Sequence, residues 1–522
     1  MINQMTKQTT ISQTKQARAL ITIGIMLVMF LVSLDMLIVA NALPRIAQLL
    51  NGASNQTWVI TVYTLAMTVT VPVAGKLSDI FGRKHLYVIG IVWFTIGSTL
   101  CALAGSMLQL IVFRGIQGIG GGIIMGISMA IIADVFPPAE VGKYMGIIMS
   151  MSSLASLIGP SLGGVIVDHI GWHWIFLLNV PAGLAAAAVL SIGLPALQKR
   201  DANSRVDFAG AGLIIAFTVP LMLGLTWGGK ANNGGYAWNS PMVLILFTVA
   251  AVSLAALIWV ESRVDQPIIP MAYFKRSVFT VANSANFAIT IAMFGTMVFM
   301  PQFCQYLLGY SPTKSGGLQT PLMVCMMIMS IIVGQLVSRL GKYKIFTVGG
   351  SLIAVATCLL LTTLNQTSSD AKIIWIMVLF GFGMGALFPP LTIALQNTFS
   401  KTEIGAATAS FQFIKNFATS LGVAILGATL TGTQTALTTA RQSAIVDAGN
   451  DPAALNAVKV GILSDSFHVV FIICTVFAAI ALVASLFLKE VPLRHDTDTS
   501  PAEAADPTDI PDIPEATLTE TR

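Results

Sequence analysis

Three ionisable residues stand inside long apolar stretches of this chain: Asp35, Arg114 and Lys415. A charge at such a place costs about 2.5 to 3.5 kcal/mol on insertion scales, so each must face a polar or wet interior rather than lipid. A carboxyl group whose access to water changes can bind and release a proton, which makes Asp35 a candidate proton carrier. Arg114 keeps its charge in practice and would be the fixed partner that drives the proton off. The competing reading is a permanent, purely structural Asp35–Arg114 ion pair. Lys415 would either attract an anionic group of a ligand or pair with a helix end. Around these charges Gln117, Phe294, Met297 and Met326 are candidates for an adaptable pocket, with ordinary core packing as the alternative for the apolar ones.

Two clusters of small and charged residues suggest moving parts. Gly75, Asp79, Gly82, Arg83 and Lys84 combine turn-forming glycines with an acid and two bases, a set that could latch one conformation through ion pairs and release it in another. Ala155, Gly159, Pro160, Gly163 and Gly164 place small residues on adjacent helical turns, where a neighbouring backbone can approach closely, while the proline removes a backbone donor and allows a bend. Enzyme chemistry finds no foothold. No Ser/His/Asp set, carboxylate pair, Walker motif or HExxH sequence occurs at useful spacing. The five cysteines show no CxxC or His-adjacent pattern, so neither a metal site nor any other bound cofactor is expected, and a proton gradient is the expected energy source.

The elements that position these residues follow from composition. Of 522 residues, 55% are hydrophobic and 10% charged, which excludes an ordinary soluble domain. Apolar runs of 18 to 25 residues, each able to cross ~30 Å of hydrocarbon as a helix, start near Leu20, Thr57, Leu86, Leu108, Met145 and Trp174. They continue near Phe208 and Met242, then near Phe279, Leu318, Ile345, Ile373, Ala406 and Phe467. The expected architecture is an all-α polytopic membrane protein of 14 transmembrane helices. With both termini on one side, twenty Lys and Arg fall in segments on that side and six on the other, so the positive-inside rule puts both termini in the cytoplasm. The basic residues form no long run, which argues against nucleic acid.

The expected division is a cytoplasmic segment 1–19, a six-helix half 20–200, two inserted helices 201–262, and a second six-helix half 263–489. The second half would contain a polar external loop, 433–466, with room for a short helix. Residues 490–522 hold nine acids and five prolines, the composition of a disordered acidic cytoplasmic tail. Internal duplication supports the two halves. Gly75, Leu77 and Gly82 recur as Gly334, Leu336 and Gly341 at one offset, and Gly118, Gly120, Gly122, Phe136, Glu140, Gly142 and Gly159 recur as Gly381, Gly383, Gly385, Phe399, Glu403, Gly405 and Gly422 at a second.

Gly75-x-Leu77-x-Asp79-x-x-Gly82-Arg83-Lys84 resembles the cytoplasmic loop signature of the major facilitator superfamily, with Ile80 in place of a usual base. Arg114-Gly-Ile-Gln117-Gly118 resembles the superfamily's fourth-helix motif. Ala155-x-x-x-Gly159-Pro160-x-x-Gly163-Gly164 is similar to the motif of drug:proton antiporters, with Ala155 where Gly is usual. Fourteen spans, Leu34-Asp35-Met-Leu37 through Pro44, and Trp172-His173-Trp174 through Gly183 resemble the EmrB/QacA group. The resemblance implies a monomeric, proton-coupled exporter of small amphipathic compounds, in multidrug efflux and antibiotic resistance, working by alternating access in the inner (plasma) membrane. A pathway-specific metabolite exporter, a proton-coupled importer and a non-transporting membrane sensor are the alternatives. With one embedded acid against two bases, dications should be disfavoured as substrates.

Overall fold

A backbone in hydrocarbon must satisfy its own hydrogen bonds, and the chain does so with helices. The computed structural model describes residues 15–135, 138–194, 208–228, 236–264, 267, 270–399, 403–447 and 451–491. The first half contains α1 (Lys15–Leu49), α2 (Gln56–Phe81), α3 (Arg83–Ala102), α4 (Met107–Val135), α5 (Pro138–His169), and the pair α6 (His173–Leu177) and α7 (Asn179–Gly193). Two helices follow, α8 (Phe208–Trp227) and α9 (Pro241–Glu261). The second half contains α10 (Ser277–Tyr306), α11 (Pro312–Leu340), α12 (Lys344–Leu361), α13 (Asp370–Thr398), α14 (Ile404–Ala440), α15 (Gln442–Asp447) and α16 (Pro452–Leu486). Thirteen of these segments, α6 and α7 counted together, are long and apolar enough to cross a membrane, and α5 adds the apolar stretch Leu154–His169.

Two boundaries differ from the sequence expectation. Helix α5 starts at Pro138, ahead of Met145, because the polar residues before Met145 continue the same helix. Most of the expected loop 433–466 is helical. Helix α14 runs on to Ala440, α16 begins at Pro452, and Arg441 at the end of α14 reaches Asp465, partway along α16, at 2.5 Å. Asp451 caps α16 by accepting from the Ala453 amide, with Pro452 at the first helical position, a combination that starts a helix whatever the polarity of the residues behind it. The expected tail 490–522 lies outside the described residues from 492 onward.

The duplication is also visible in packing. On α4, Gly118 and Gly122 meet the backbone carbonyls of Tyr63 and Met67 on α2, while Gly120 meets Phe94 on α3. On α13, Gly381 and Gly385 meet the carbonyls of Leu322 and Met326 on α11, while Gly383 meets Gly350 on α12. Each glycine thus performs the same close approach in both halves, and a Cβ at any of them would enter a neighbouring helix. Gly82 and Gly341 end α2 and α11 with φ of +89° and +70°, a region that L side chains rarely adopt. Gly75, expected in a turn, sits inside α2 with open space where a Cβ would be.

The inserted pair packs as a unit, α8 on α9, and α8 also touches α2 and α14, so it borders both halves. The main hydrophobic core is shared by helices of the two halves, with Phe279, Phe299, Phe303, Phe380, Phe467 and Phe471 among its fully buried side chains.

Candidate functional site

Asp35 lies in the middle of α1 and is 1% exposed, as is Arg114 on α4. The Arg114 Nη1 donates to Asp35 Oδ2 at 2.5 Å and to Gln117 Oε1 at 2.7 Å. Gln117 stands one helical turn from Arg114 on the same face, and its Nε2 donates to Asp35 Oδ1 at 2.9 Å. A third donor comes from a different element: Asn179 Nδ2 reaches Asp35 Oδ1 at 2.9 Å and Ser98 Oγ on α3 at 3.0 Å. Asn179 is the first residue of α7, and Pro181 just beyond it has no N–H to offer the carbonyl of Leu177, where α6 ends. The break between α6 and α7 therefore aims an amide into the site.

Aromatic rings complete the enclosure. The guanidinium lies 3.8 Å from the centroid of the Tyr63 ring, and the Phe176 ring centroid is 5.8 Å away, both within cation–π range. The result is a net-neutral, water-excluded cluster drawn from α1, α2, α3, α4, α6 and α7, in which the carboxylate accepts three hydrogen bonds. Removing one partner of such a pair typically costs 3 to 5 kcal/mol, by the general rule for buried ion pairs. Gln117, expected as a pocket residue, has both ends of its amide engaged within this cluster.

Near the C-terminal end of α1 the two halves meet through polar contacts. Asn41 Nδ2 donates to the Pro160 carbonyl at 2.8 Å and to the Pro312 carbonyl at 3.0 Å, joining α1, α5 and α11. Its own side-chain oxygen accepts from Ser315 Oγ at 3.0 Å, and its backbone carbonyl accepts from Gln305 Nε2 at 2.9 Å. Ser161 and Thr320 are 2.6 Å apart, and Asp168 accepts from the backbone amide of Thr313 at 2.9 Å and from its hydroxyl. The small-residue motif makes this approach possible. Gly159 and Gly163 face Leu37 and Ile38 of α1, whereas Gly164 faces Pro312 and Thr313 of the other half. The expected single contact face is thus two faces serving two neighbours, with Ala155 fully buried beside them. The pseudo-equivalent contact is Gly427 of α14 against Thr57 of α2.

At the opposite end of α2, Arg83 begins α3 and is buried, whereas the side chain of Asp79, the acid of the expected latch, lies outside the described residues. Lys415 on α14 is half-buried, with its ammonium 4.8 Å from the ring centroid of Phe388 on α13. Met297 is buried, while Phe294 and Met326 are half-buried and packed against the main core.

Apart from Gln117, sequence reasoning gave the buried amides no role. Asn41, Asn179, Asn283, Asn286 and Gln305 all lie in helices of the bundle and are at most 9% exposed. Their signal was available, since a primary amide inside an apolar span is costly unless it meets a partner.

A two-halved helical bundle with a buried ion pair in one half and a polar seam at one end of the half interface has the architecture of a membrane transporter. The sequence profile of the Major Facilitator Superfamily matches residues 25–423, and the chain belongs to that superfamily. It is 38% identical over 516 residues to the multidrug transporter protein MdtP of Bacillus subtilis, covering 92% of this chain and 94% of that one. It is 36% identical to multidrug resistance protein 3 of the same organism, over 78% of each chain. Among solved structures, a bacterial homologue of the human lysosomal transporter Spinster, in an inward-facing and unoccupied conformation, superposes with a TM-score of 0.63. That match has 14% identity and covers 91% of this chain and 98% of that one.

Proposed function

We propose that the protein is a proton-coupled exporter of small amphipathic compounds, working by alternating access in the plasma membrane with both termini in the cytoplasm. The observation that carries this reading is the Asp35–Arg114 pair, sealed from water and solvated by Gln117 and Asn179. Protonation of Asp35 would neutralise the carboxylate and leave the Arg114 charge to find other partners. Proton binding is thereby tied to rearrangement of α1 against α4, and α1 also carries the seam residue Asn41. Its relatives named for multidrug transport support the substrate class.

In the orientation given by the positive-inside rule, the seam of Asn41, Pro160, Pro312 and Ser315 closes the external end, so the arrangement described is inward-facing. A single chain contains both halves, so a monomer suffices. The proposal is tested in everted vesicles carrying the protein. Uptake of a lipophilic dye should require the pH gradient and collapse when a protonophore dissipates it, and uptake indifferent to the gradient would overturn proton coupling.

The turn between α2 and α3, with Asp79, Arg83 and Lys84, would be the latch at the cytoplasmic end. Asp79→Lys should slow turnover while leaving equilibrium substrate affinity unchanged, because a site near the bilayer midplane is remote from that turn. An affinity falling in proportion to transport would count against the latch.

A further inference from the structure

The second half contains a group of polar side chains that the coupling scheme does not use. Asn283, Asn286 and Thr290 follow one another along α10 at spacings of three and four residues, hence on one face of the helix. They are at most 3% exposed, and four of their atoms meet no hydrogen-bond partner: both polar atoms of the Asn286 amide, the Asn283 oxygen and the Thr290 hydroxyl. Unpaired amides in an interior are expensive, and such groups call for a partner that is sometimes present.

The same region holds a free positive charge. Helices α10 and α14 run side by side in the same direction, since Gly422 packs on Ile291 and Leu426 lies against the Gly295 position one turn further on. Moving back along both helices by equal steps brings Lys415 level with Ser284, between Asn283 and Asn286. The α10 side chains turned towards α14 are Phe287, Ile291 and the Gly295 position, and those turned towards α16 include Phe303. The Asn283–Asn286–Thr290 stripe falls outside both, on the face that also carries Phe279, which packs edge-to-face on Phe399 at the end of α13. Lys415 reaches α13 from α14, since its ammonium lies over Phe388 of that helix. No acid pairs with it among the described residues, and Asp35 is consumed by Arg114 in the other half.

We propose that Lys415, Asn286 and Thr290 form an anion subsite that binds the carboxylate or sulfonate of an amphipathic substrate, with Phe388 against its apolar body. The ammonium supplies the charge, and the unpaired Asn286 Nδ2 and Thr290 hydroxyl supply directional donors, whereas the Asn283 Nδ2 already donates to the Phe279 carbonyl. The inference rests on the transporter reading and adds to it the sign of the preferred substrate.

The test uses full-length protein in phosphatidylcholine nanodiscs without any gradient, and two fluorescent probes that differ in charge, anionic dansylglycine and neutral dansylamide. The wild type should bind dansylglycine more tightly. Lys415→Met should weaken dansylglycine by roughly tenfold or more and leave dansylamide within about twofold, while Lys415→Arg retains most of the preference. Asn286→Asp, which offers the ammonium an internal carboxylate, should abolish the preference by a different route, and it carries the test should Lys415→Met fail to fold. Equal binding of the two probes by the wild type, or a preference that survives both charge-altering variants, overturns the subsite. Displacement of dansylglycine by added phosphatidylglycerol would assign the anion to a lipid headgroup and overturn the substrate assignment. Because binding is read without a gradient, failure of proton coupling would show in the vesicle assay alone.

Discussion

Asp35→Asn should reduce gradient-driven export to the level of empty vesicles while the protein remains in the membrane. The amide matches the carboxylate in size and can still accept from Gln117 or Asn179, but it cannot titrate, and it presents an NH2 group or a neutral oxygen to the Arg114 guanidinium 2.5 Å away. Two losses follow and they can be separated. Leaving Arg114 buried without its counter-charge should destabilise the fold by about 3 to 5 kcal/mol, which appears as a lower melting temperature in detergent. Adding Arg114→Gln to the same chain removes the stranded charge and should recover much of that stability. Export should not recover, because no titratable group has been restored. Asp35→Glu should keep part of the activity. Export against a substrate gradient by either Asn-containing variant would show that Asp35 is not the carrier.

Gly316→Leu should abolish turnover by a wholly different cause. A Cβ on Gly316 would lie 2.1 Å from the Pro160 carbonyl oxygen and 2.8 Å from Asn41 Nδ2. Both are groups of the seam itself, and the nearer one is backbone that cannot swing aside, so α5 and α11 must separate to admit even one methyl group. Bulk there opposes the closed seam in the arrangement described and favours whichever state parts these helices. The expected result is loss of export by about 100-fold or more, since a shift of a few kcal/mol suffices to trap a two-state element. Spin labels on α5 and α11 near this end should report a longer distance in the variant. Gly317→Leu is the control, because its Cβ would meet open space, and it should behave as the wild type. An unchanged label distance in Gly316→Leu would argue that the seam is not a gate.

Much of the architecture was legible in the sequence because lipid imposes a simple rule. Apolar runs must be helices, and so the positions of the fourteen spans, the duplication and the inserted pair followed from hydropathy and repeated glycines. Asp35 and Arg114 stood out for the same reason, as charges that could not face hydrocarbon. The segment 433–466 misled, because polarity marks where a helix leaves the membrane and says nothing about where it ends. Asp451 and Pro452 decide that through a cap.

Tertiary structure alone decided which groups meet. Asn179 joins Asp35 from far along the chain because the break between α6 and α7 turns an amide inward, and Asn41 bridges two carbonyls only because Gly164 and Gly316 let α5 and α11 approach at backbone distance. A sequence lists the costly polar groups in a membrane. Their partners depend on helix rotation and spacing, set by close packing of residues that carry no chemistry of their own.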